Sequence, residues 1–279
     1  MNKVFVPPIK IQGIKTKLVP WIIENLPSEK FSTWIEPFMG SGVVGFNVRP
    51  KHAIFADINP HVINFYNALK SREISSESLK HFLTVQGKIL SERGENFYLE
   101  VRERFNQFHR PQDFLFLNRA CFNGMIRFNR AGKFNVPFNH KPQRFSKAYV
   151  TKVFNQVRYV EECFEFFDWQ FVCQDFRETI SQTKSLADVF VYCDPPYLGR
   201  HTDYFDAWDE NSEAELCAVL KNSGTKFMLS TWDHNEFRKN SSVETHWNFC
   251  NKASKNHFYH VGAVEKNRRP MVETLVTNY

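Results

Sequence analysis

The most constraining feature of this sequence is a run of five apolar residues, Val189–Cys193, that ends at Asp194-Pro195-Pro196-Tyr197. An uninterrupted apolar run of this length is typical of a strand that is buried on both faces of a mainly parallel sheet. Open α/β sheets bind their ligands at the carboxyl ends of the strands, and Asp194 stands at such an end. The run therefore predicts an α/β fold with a ligand site that begins at Asp194.

The tetrapeptide after this strand has the chemistry to hold a planar amine. The Asp194 carboxylate and the Pro195 carbonyl can accept both N–H bonds of an exocyclic amino group, while the Tyr197 ring stacks on the base that carries it. The adjacent prolines, Pro195 and Pro196, stiffen the turn and remove two backbone donors. A rigid turn after a strand that ends in a carboxylate would look the same, so the tetrapeptide alone leaves the substrate open.

A second motif, Glu36-Pro37-Phe38-Met39-Gly40-Ser41-Gly42, follows a short β-prone run at residues 31–35. Its glycines allow the backbone to approach a ligand closely. The next apolar run, residues 53–56, stops at Asp57, where a carboxylate can accept hydrogen bonds from ribose hydroxyls. The sequence has neither a third glycine for a dinucleotide fingerprint nor a phosphate loop, so a nucleoside without a pyrophosphate is expected. S-adenosylmethionine fits that description.

The remaining periodic segments predict one α/β domain with an insertion. An amphipathic pattern predicts a helix over residues 15–25. Residues 68–150 differ in character, because charged helical segments give way to a stretch rich in Asn, Arg and Phe, which favours loops and a hairpin. Strand patterns then return at residues 170–173, 189–193 and 226–230. We therefore expect residues 1–67 and 151–279 to form one domain and residues 68–150 to form an inserted one.

Composition adds limits rather than a function. The 36 Lys and Arg against 30 Asp and Glu give a net charge of +6, which tolerates a polyanion without identifying one. Most of the 29 phenylalanines are expected in the core. The six cysteines form no C-x-x-C pair and the ten histidines have no ligand spacing, so free thiols and no metal site are expected. Neither an export signal nor an apolar span is apparent, which indicates a cytoplasmic protein.

Taken together, these motifs resemble the Dam-like, α-class N6-adenine DNA methyltransferases, and among them the EcoRV-type modification enzymes. The likeness runs along nearly the whole chain and rests on the motif order: cofactor loop, insertion, then Asp-Pro-Pro-Tyr. It implies a Rossmann-like α/β methyltransferase fold with an inserted, mostly helical target-recognition domain that carries a β-hairpin. It also implies S-adenosylmethionine as methyl donor and double-stranded DNA as partner. Neither a metal nor a membrane partner is expected, and the oligomeric state stays open, with a monomer expected first.

The resemblance implies roles for residues that match the family's motifs. The Asp194 tetrapeptide would be catalytic. In the N-terminal motif, which often carries Trp and Gly, this sequence has Ile11 and Ile14 instead. Asp175 and Phe176 would contact the cofactor's adenine, although a strand end with a core Phe remains an alternative. The expected cofactor-binding residues are Lys15, Glu36, Phe38, Gly40, Gly42, Asp57, Asp175 and Phe176.

DNA contacts are expected mainly from the inserted hairpin. Arg127 suits bidentate contact with guanine, and Phe122 could wedge into the gap left by a flipped base. Arg130 and Arg144 are interpreted as solvated surface charges, and Trp232 as a core residue or a wall of the base pocket. The expected DNA-binding residues are Lys10, Asn118, Arg119, Phe122, Asn123, Met125, Arg127 and Pro137.

The resemblance implies a site-specific adenine N6-methyltransferase of a restriction–modification system. A GATATC-like target is expected first and GATC second, because Asn139-His140-Lys141 departs from the Dam pattern. The basic cluster Lys266-Asn267-Arg268-Arg269 is interpreted as a phosphate contact or as a solvated turn. An RNA or protein amide methyltransferase and a non-catalytic DNA-binding regulator are the alternative hypotheses.

Overall fold

A seven-stranded sheet forms the centre of the computed structural model, which describes residues 3–198, 208–258 and 270–279. The strands appear in the order β3-β2-β1-β4-β5-β7-β6. Their bounds are β1 Thr33–Glu36, β2 His52–Asp57, β3 Asp168–Cys173, β4 Val189–Cys193, β5 Lys226–His234, β6 Asn251–Phe258 and β7 Pro270–Thr277.

Strands β1 to β5 are parallel, and β7 lies antiparallel between β5 and β6. The chain order reverses beside β1, which has β2 on one side and β4 on the other, with Ile35 paired to Val191. A reversal of this kind opens a crevice at the carboxyl ends of the strands, where doubly wound sheets bind ligands. The topology confirms the predicted Rossmann-like methyltransferase fold and places the Asp194 motif and the Glu36 loop at one edge.

Ten α-helices surround the sheet within the described residues. Short polar side chains begin several of them: Asn59 caps α3, Ser75 forms a capping box at α4 and Ser146 caps α7. The helices are α1 Val19–Glu24, α2 Gly45–Val48, α3 Pro60–Lys70, α4 Ser76–Arg93, α5 Glu95–Phe108, α6 Pro111–Ala120, α7 Lys147–Phe166, α8 Phe176–Ser181, α9 Glu210–Ser223 and α10 Ser242–Thr245. The helix predicted over residues 15–25 is thus shorter, because turns precede Val19.

Apolar side chains fill both faces of the sheet. Consecutive residues of β1 point to opposite sides, so Trp34 joins one core cluster and Ile35 the other. Helices α1, α3 and α7 cover the Trp34 face, whereas α8 and α9 cover the Ile35 face. Phe46 stacks on Trp169 with 5.2 Å between ring centroids, which confirms that phenylalanines are used in the core.

The segment between α3 and β3 is mostly helical, and β3 then pairs with β2 in the same sheet. This confirms the prediction of an insertion that interrupts one sheet. The expected hairpin consists of isolated antiparallel bridges, Cys121 to Phe138 and Phe128 to Phe134, rather than regular strands. Asn123 and Gly124 have positive φ, which turns the chain out of the extended conformation there. The domain boundary at residue 150 remains a prediction, and helix α7 runs continuously across it.

All six cysteines are free thiols, and four of them are buried. None of the helices in the described ranges has both the length and the hydrophobicity that a membrane span requires.

Candidate active site

Predicted site residues meet at one edge of the sheet because they follow adjacent parallel strands. Glu36 ends β1, Asp57 ends β2, Asp175 lies just beyond β3, and Asp194 follows β4. The first, second and fourth of these carboxyl groups are buried enough that desolvation raises the pKa of each. Carboxyl groups from four separate stretches of chain thus lie along one edge of the parallel sheet.

The Asp194 carboxylate forms an ion pair with Lys15. The Lys15 Nζ lies 2.7 Å from Asp194 Oδ1 and 4.7 Å from the centre of the Tyr197 ring. Only 4% of the Lys15 side chain is exposed, compared with 22% of the Asp194 side chain. Burial raises the pKa of Asp194, the Lys15 ammonium opposes that rise, and the nearby Glu273 carboxylate adds to it. Lys15 therefore favours the ionised form of Asp194, which is the form that accepts hydrogen bonds.

Tyr197 is held by a residue that the sequence did not indicate. Its hydroxyl donates a hydrogen bond to Glu273, a completely buried carboxylate on β7. The Tyr197 ring packs with Trp232 of β5 and Met271 of β7 in a small apolar cluster. Glu273 comes close only because β7 inserts antiparallel beside β5, a pairing that no local pattern reveals. Trp232 thus lies beside the Asp194 tetrapeptide.

The loop after β1 is braced by two carboxyl groups. Asp57 Oδ2 accepts the Gly40 N–H at 2.8 Å, and Asp57 Oδ1 accepts the Asn59 N–H at 2.9 Å. Glu36 Oε2 accepts the Trp34 indole N–H at 2.9 Å and the Gly45 N–H at 3.1 Å. Burial raises the pKa of Glu36 to about 8. The contacts of Glu36 lie inside the protein, so it supports the loop from below.

Glycine is required in this loop for steric as well as conformational reasons. Gly42 has a φ of +76°, and a Cβ atom there would lie 2.7 Å from Phe46 Cζ. A Cβ atom on Gly45 would lie 2.6 Å from Glu36 Oε2. Phe46 is fully buried in the core and has no room to move aside. The backbone of the loop and of the first residue of α2 therefore packs directly on the Phe46 ring and on the Glu36 carboxyl group.

Three aromatic rings line the crevice between the strand ends. Phe38 stacks on Phe176 at a centroid distance of 5.5 Å, and Trp208 meets both rings edge-on at 5.4 and 5.7 Å. Asp175 begins α8 by accepting the Arg177 N–H at 2.8 Å, and it also pairs with the Arg177 guanidinium. The sequence analysis did not single out Trp208. The arrangement offers flat apolar surfaces next to a carboxylate, which suits a heteroaromatic ring.

The structure places Asn118 and Arg119 in the interior, unlike the surface positions expected of DNA contacts. Asn118 is fully buried: its Oδ1 accepts the Lys10 N–H at 2.8 Å, and its Nδ2 donates to the carbonyls of Lys10 and Gly124. Arg119 is 3% exposed and donates from Nε to the Pro8 carbonyl at 2.7 Å. These polar groups are already used within the protein, where they attach the N-terminal segment to the insertion.

Other predicted DNA-binding residues do lie at the surface. Phe122 is 49% exposed, Asn123 and Pro137 are exposed, and the Phe122 N–H donates to the Pro137 carbonyl at 2.9 Å. Arg127 is half-buried, and its Nε donates to Asn135 Oδ1 at 2.8 Å. Met125 and Lys10 are also half-buried.

Two further expectations concern charged and metal-ligating groups. The basic cluster at residues 266–269 lies outside the described residues. Within the described ranges, His, Cys, Asp and Glu side chains do not come together in a group of three that could hold a metal ion.

Comparison with known proteins agrees with this geometry. Residues 12–259 match the family model of D12 class N6 adenine-specific DNA methyltransferases. A DNA adenine methylase of Serratia marcescens is 35% identical over 229 residues, which cover 76% of this chain and 77% of that protein. A DNA adenine methylase of Vibrio cholerae is 34% identical over 252 residues, 83% of each chain.

More distant matches extend the range of relatives. The Type II methyltransferase M.MjaIII of Methanocaldococcus jannaschii is 30% identical over 253 residues, 80% of this chain and 83% of that protein. Among solved structures, the rRNA methyltransferase AviRa of Streptomyces viridochromogenes has a TM-score of 0.40 at 14% identity, covering 99% of this chain and 90% of that chain, a likeness too weak to carry an argument. The family match spans both the loop of residues 36–42 and the Asp194 motif, and the chain belongs to the D12 class N6 adenine-specific DNA methyltransferases.

Proposed function

We propose that this adenine methyltransferase uses S-adenosylmethionine to methylate N6 of an adenine that is flipped out of duplex DNA at a defined sequence. The observation that carries the proposal is the position of the Lys15 ammonium, 2.7 Å from Asp194 Oδ1 and 4.7 Å from the Tyr197 ring centre. There one N–H donor is close to both the carboxylate and the ring. A target amine needs the same two partners.

The tetrapeptide would orient the target amine. Lys15 engages Oδ1 of Asp194, and the amine would bond to the other carboxylate oxygen and to the Pro195 carbonyl. Two acceptors on one amino group localise the nitrogen lone pair for attack, and positioning of this kind is a large part of catalysis. Tyr197, oriented by Glu273, would stack on the adenine, with Trp232 closing the pocket. Pro196 would keep the turn rigid.

The crevice between the strand ends has the groups that S-adenosylmethionine requires. When bound, the cofactor supplies an electrophilic methyl group on a positively charged sulfur. Phe38, Phe176 and Trp208 would hold its adenine ring, with Asp175 beside them. Asp57 uses one lone pair of each oxygen for a backbone N–H, which leaves others for ribose hydroxyls. Gly40 and Gly42 would let the backbone approach the methionine end, with Glu36 and Lys15 beneath it.

The insertion, residues 68–150, would read the DNA through the exposed face of its hairpin. Phe122 would fill the gap left by the flipped adenine, and Arg127 would contact a base edge. Asn123, Met125 and Pro137 would complete the contacts with the bases, and Lys10 would reach the DNA from the N-terminal segment. Asn118 and Arg119 would act indirectly, because they fix Lys10 and Pro8 against the hairpin. A monomer is sufficient for this arrangement.

We propose a modification role in a restriction–modification system, with a GATATC-like target ahead of GATC. Relatives include both DNA adenine methylases and Type II methyltransferases, so the role needs a direct test. Duplexes that contain GATATC, GATC or neither would be methylated with a radiolabelled donor, with an RNA duplex as a fourth substrate. We expect transfer to GATATC first. Equal methyl transfer to GATC and GATATC would contradict the longer target site. Equal transfer to every duplex would contradict sequence specificity altogether.

A further inference from the structure

Two arginines contact the hydroxyl of Tyr149 near the start of helix α7, and Lys10 acts on it electrostatically. The Arg144 Nη2 lies 2.5 Å from the Tyr149 oxygen, and the Arg119 Nη1 lies 3.4 Å from it. The Arg144 guanidinium also covers the Tyr149 ring at 4.1 Å, and its Nε donates to the Arg119 carbonyl at 2.9 Å. Lys10 is the third cation. Lys10, Arg119, Arg144 and Tyr149 are called the Tyr149 cluster below.

The positive charge of the Tyr149 cluster is not neutralised within the described part of the chain. No carboxylate there forms an ion pair with Lys10, Arg119 or Arg144. Burial lowers the pKa of Lys10, the Tyr149 oxygen opposes this shift, and the neighbouring Arg144 and Arg119 add to it. Burial alone would raise the pKa of Tyr149, but Arg119, Lys10 and Arg144 outweigh it and lower that pKa. Like charges held this closely favour an anion between them.

After its internal hydrogen bonds are formed, the Tyr149 cluster still has hydrogen-bond donors that are not used within the described residues. A guanidinium only donates, so the Tyr149 oxygen accepts from both arginines and its own O–H remains available. Within the described residues no hydrogen bond from the Lys10 ammonium or from the Arg144 Nη1 is formed either. Lys10, Arg144 and Tyr149 are each partly exposed, whereas Arg119 is buried beneath them. A ligand for this surface must accept hydrogen bonds and carry negative charge.

The Tyr149 cluster lies next to the hairpin rather than on a remote face. A Cβ atom on Gly124 would come within 2.7 Å of Lys10 Cδ, so the Lys10 side chain packs directly on the turn that follows Phe122. Asn118 fixes the Lys10 backbone to the same turn. Arg144, which the sequence suggested to be a solvated surface charge, is therefore held in place beside the surface that would face DNA.

We propose that Lys10, Arg144 and Tyr149 bind a phosphodiester group of the DNA backbone close to the recognised sequence, with Arg119 adding charge from beneath. A phosphodiester has two free oxygens and one negative charge, which match a forked guanidinium, a hydroxyl and an ammonium. The inference rests on the proposed function in that it takes the hairpin face to be the DNA face. It assigns a register-fixing contact that carries no sequence information itself.

The test compares the salt dependence of duplex binding by the full-length protein and three variants. Dissociation constants for one GATATC duplex and one duplex without the site would be measured by fluorescence anisotropy over a salt series. Arg144→Gln should reduce the slope of log K against log salt by about one and should weaken binding to both duplexes alike. Tyr149→Phe should weaken binding to both duplexes without changing this slope. The matched control is Arg158→Gln, also on α7, because Arg158 is exposed and paired with Glu162.

A methylphosphonate scan identifies the phosphate itself. When one phosphate at a time is neutralised, the wild-type protein should lose affinity at one position. Arg144→Gln should bind the duplex neutralised at that position as well as it binds the unmodified duplex. The phosphate site is contradicted when Arg144→Gln and Tyr149→Phe, both with an unchanged melting temperature, bind like Arg158→Gln. Failure of the proposed function looks different, because the wild-type protein itself would then show no preference for duplex DNA. If Arg144→Gln has a lower melting temperature than the wild-type protein, the phosphate site is tested by Tyr149→Phe and by the methylphosphonate scan with wild-type protein.

Discussion

The Lys15 ammonium lies 2.7 Å from Oδ1 of Asp194, in a pocket where the lysine side chain is only 4% exposed. The pair joins the N-terminal segment to the strand that precedes the Asp194 tetrapeptide. Burial raises the pKa of Asp194, and Lys15 is the group that opposes this rise. The charge state of Asp194 therefore depends on a residue 179 positions earlier in the chain.

Replacing Lys15 should shift the pH dependence of the reaction. In Lys15→Gln the pKa of Asp194 rises further, because the opposing charge is lost, and a protonated carboxyl no longer accepts the amine hydrogens. The acidic limb of kcat/KM against pH should move to higher pH, and kcat/KM at pH 7 should fall at least about tenfold, or roughly 1.4 kcal/mol. Lys15→Arg keeps the charge and should retain the wild-type profile better. If the acidic limb of kcat/KM in Lys15→Gln stayed at the wild-type pH, Lys15 would not be needed to keep Asp194 ionised.

Glu36 should make the protein less stable as the pH rises. Burial raises its folded-state pKa to about 8 from an ordinary value of 4.5, so the folded protein holds a proton that the unfolded chain releases. The stabilising contribution is complete below about pH 4.5 and is lost as the pH rises to about 8. Glu36→Gln keeps an acceptor for Trp34 and Gly45 but removes this titration. Melting temperatures of the two proteins from pH 5 to pH 8 should converge at low pH and separate in favour of the variant at high pH.

The Tyr197–Glu273 contact should behave as one unit. Tyr197→Phe keeps the ring but removes the donor to Glu273, and a hydrogen bond to a charged group contributes about 1.5–3 kcal/mol. Tyr197→Phe should therefore lower kcat, and Glu273→Gln should lower it by a similar factor. The double variant should lose little more kcat than either single variant. Asp113→Asn is the control, because Asp113 is equally buried but pairs with Arg104 in the insertion. Independent, additive losses in kcat would show that Glu273 does not position Tyr197.

The close packing of the glycine loop at residues 36–42 can be tested with two alanine substitutions. Gly42 and Gly224 both have positive φ, +76° and +67°, so alanine strains the backbone at each. Only at Gly42 would the new Cβ atom clash, 2.7 Å from Phe46 Cζ, whereas nothing lies within 4 Å of the one at Gly224. Gly42→Ala should therefore destabilise the fold by a further ~1–3 kcal/mol and weaken S-adenosylmethionine binding in calorimetry. Equal losses of stability in the two variants would contradict this packing.

The sequence was sufficient for features that depend on local pattern. Val189–Cys193 is a strand with the bounds predicted, and Asp57 stands at a strand end beside the glycine loop. It was insufficient where function depends on contacts between distant segments. Glu273 reaches Tyr197 through the antiparallel β7, and Arg144 is held by the carbonyl of Arg119, 25 residues earlier in the chain.

Residue type was misleading at two positions of the insertion. Asn118 and Arg119 have the chemistry to contact DNA, yet they end the buried helix α6 and form their hydrogen bonds inside the protein. Sequence alone does not say which of several polar side chains in the insertion face outward, because that depends on how the N-terminal segment packs on the hairpin.

The central claim is that Asp194 orients an adenine amine in duplex DNA for methylation. The most direct measurement incubates a GATATC duplex with a donor that carries a trideuterated methyl group, digests the DNA and quantifies labelled nucleosides by mass spectrometry. Wild-type protein should place the label on adenine N6, and Asp194→Ala should give no label above background while still binding the duplex in an anisotropy assay. Label on cytosine, or labelled N6-methyladenine from Asp194→Ala at the wild-type rate, would contradict the claim.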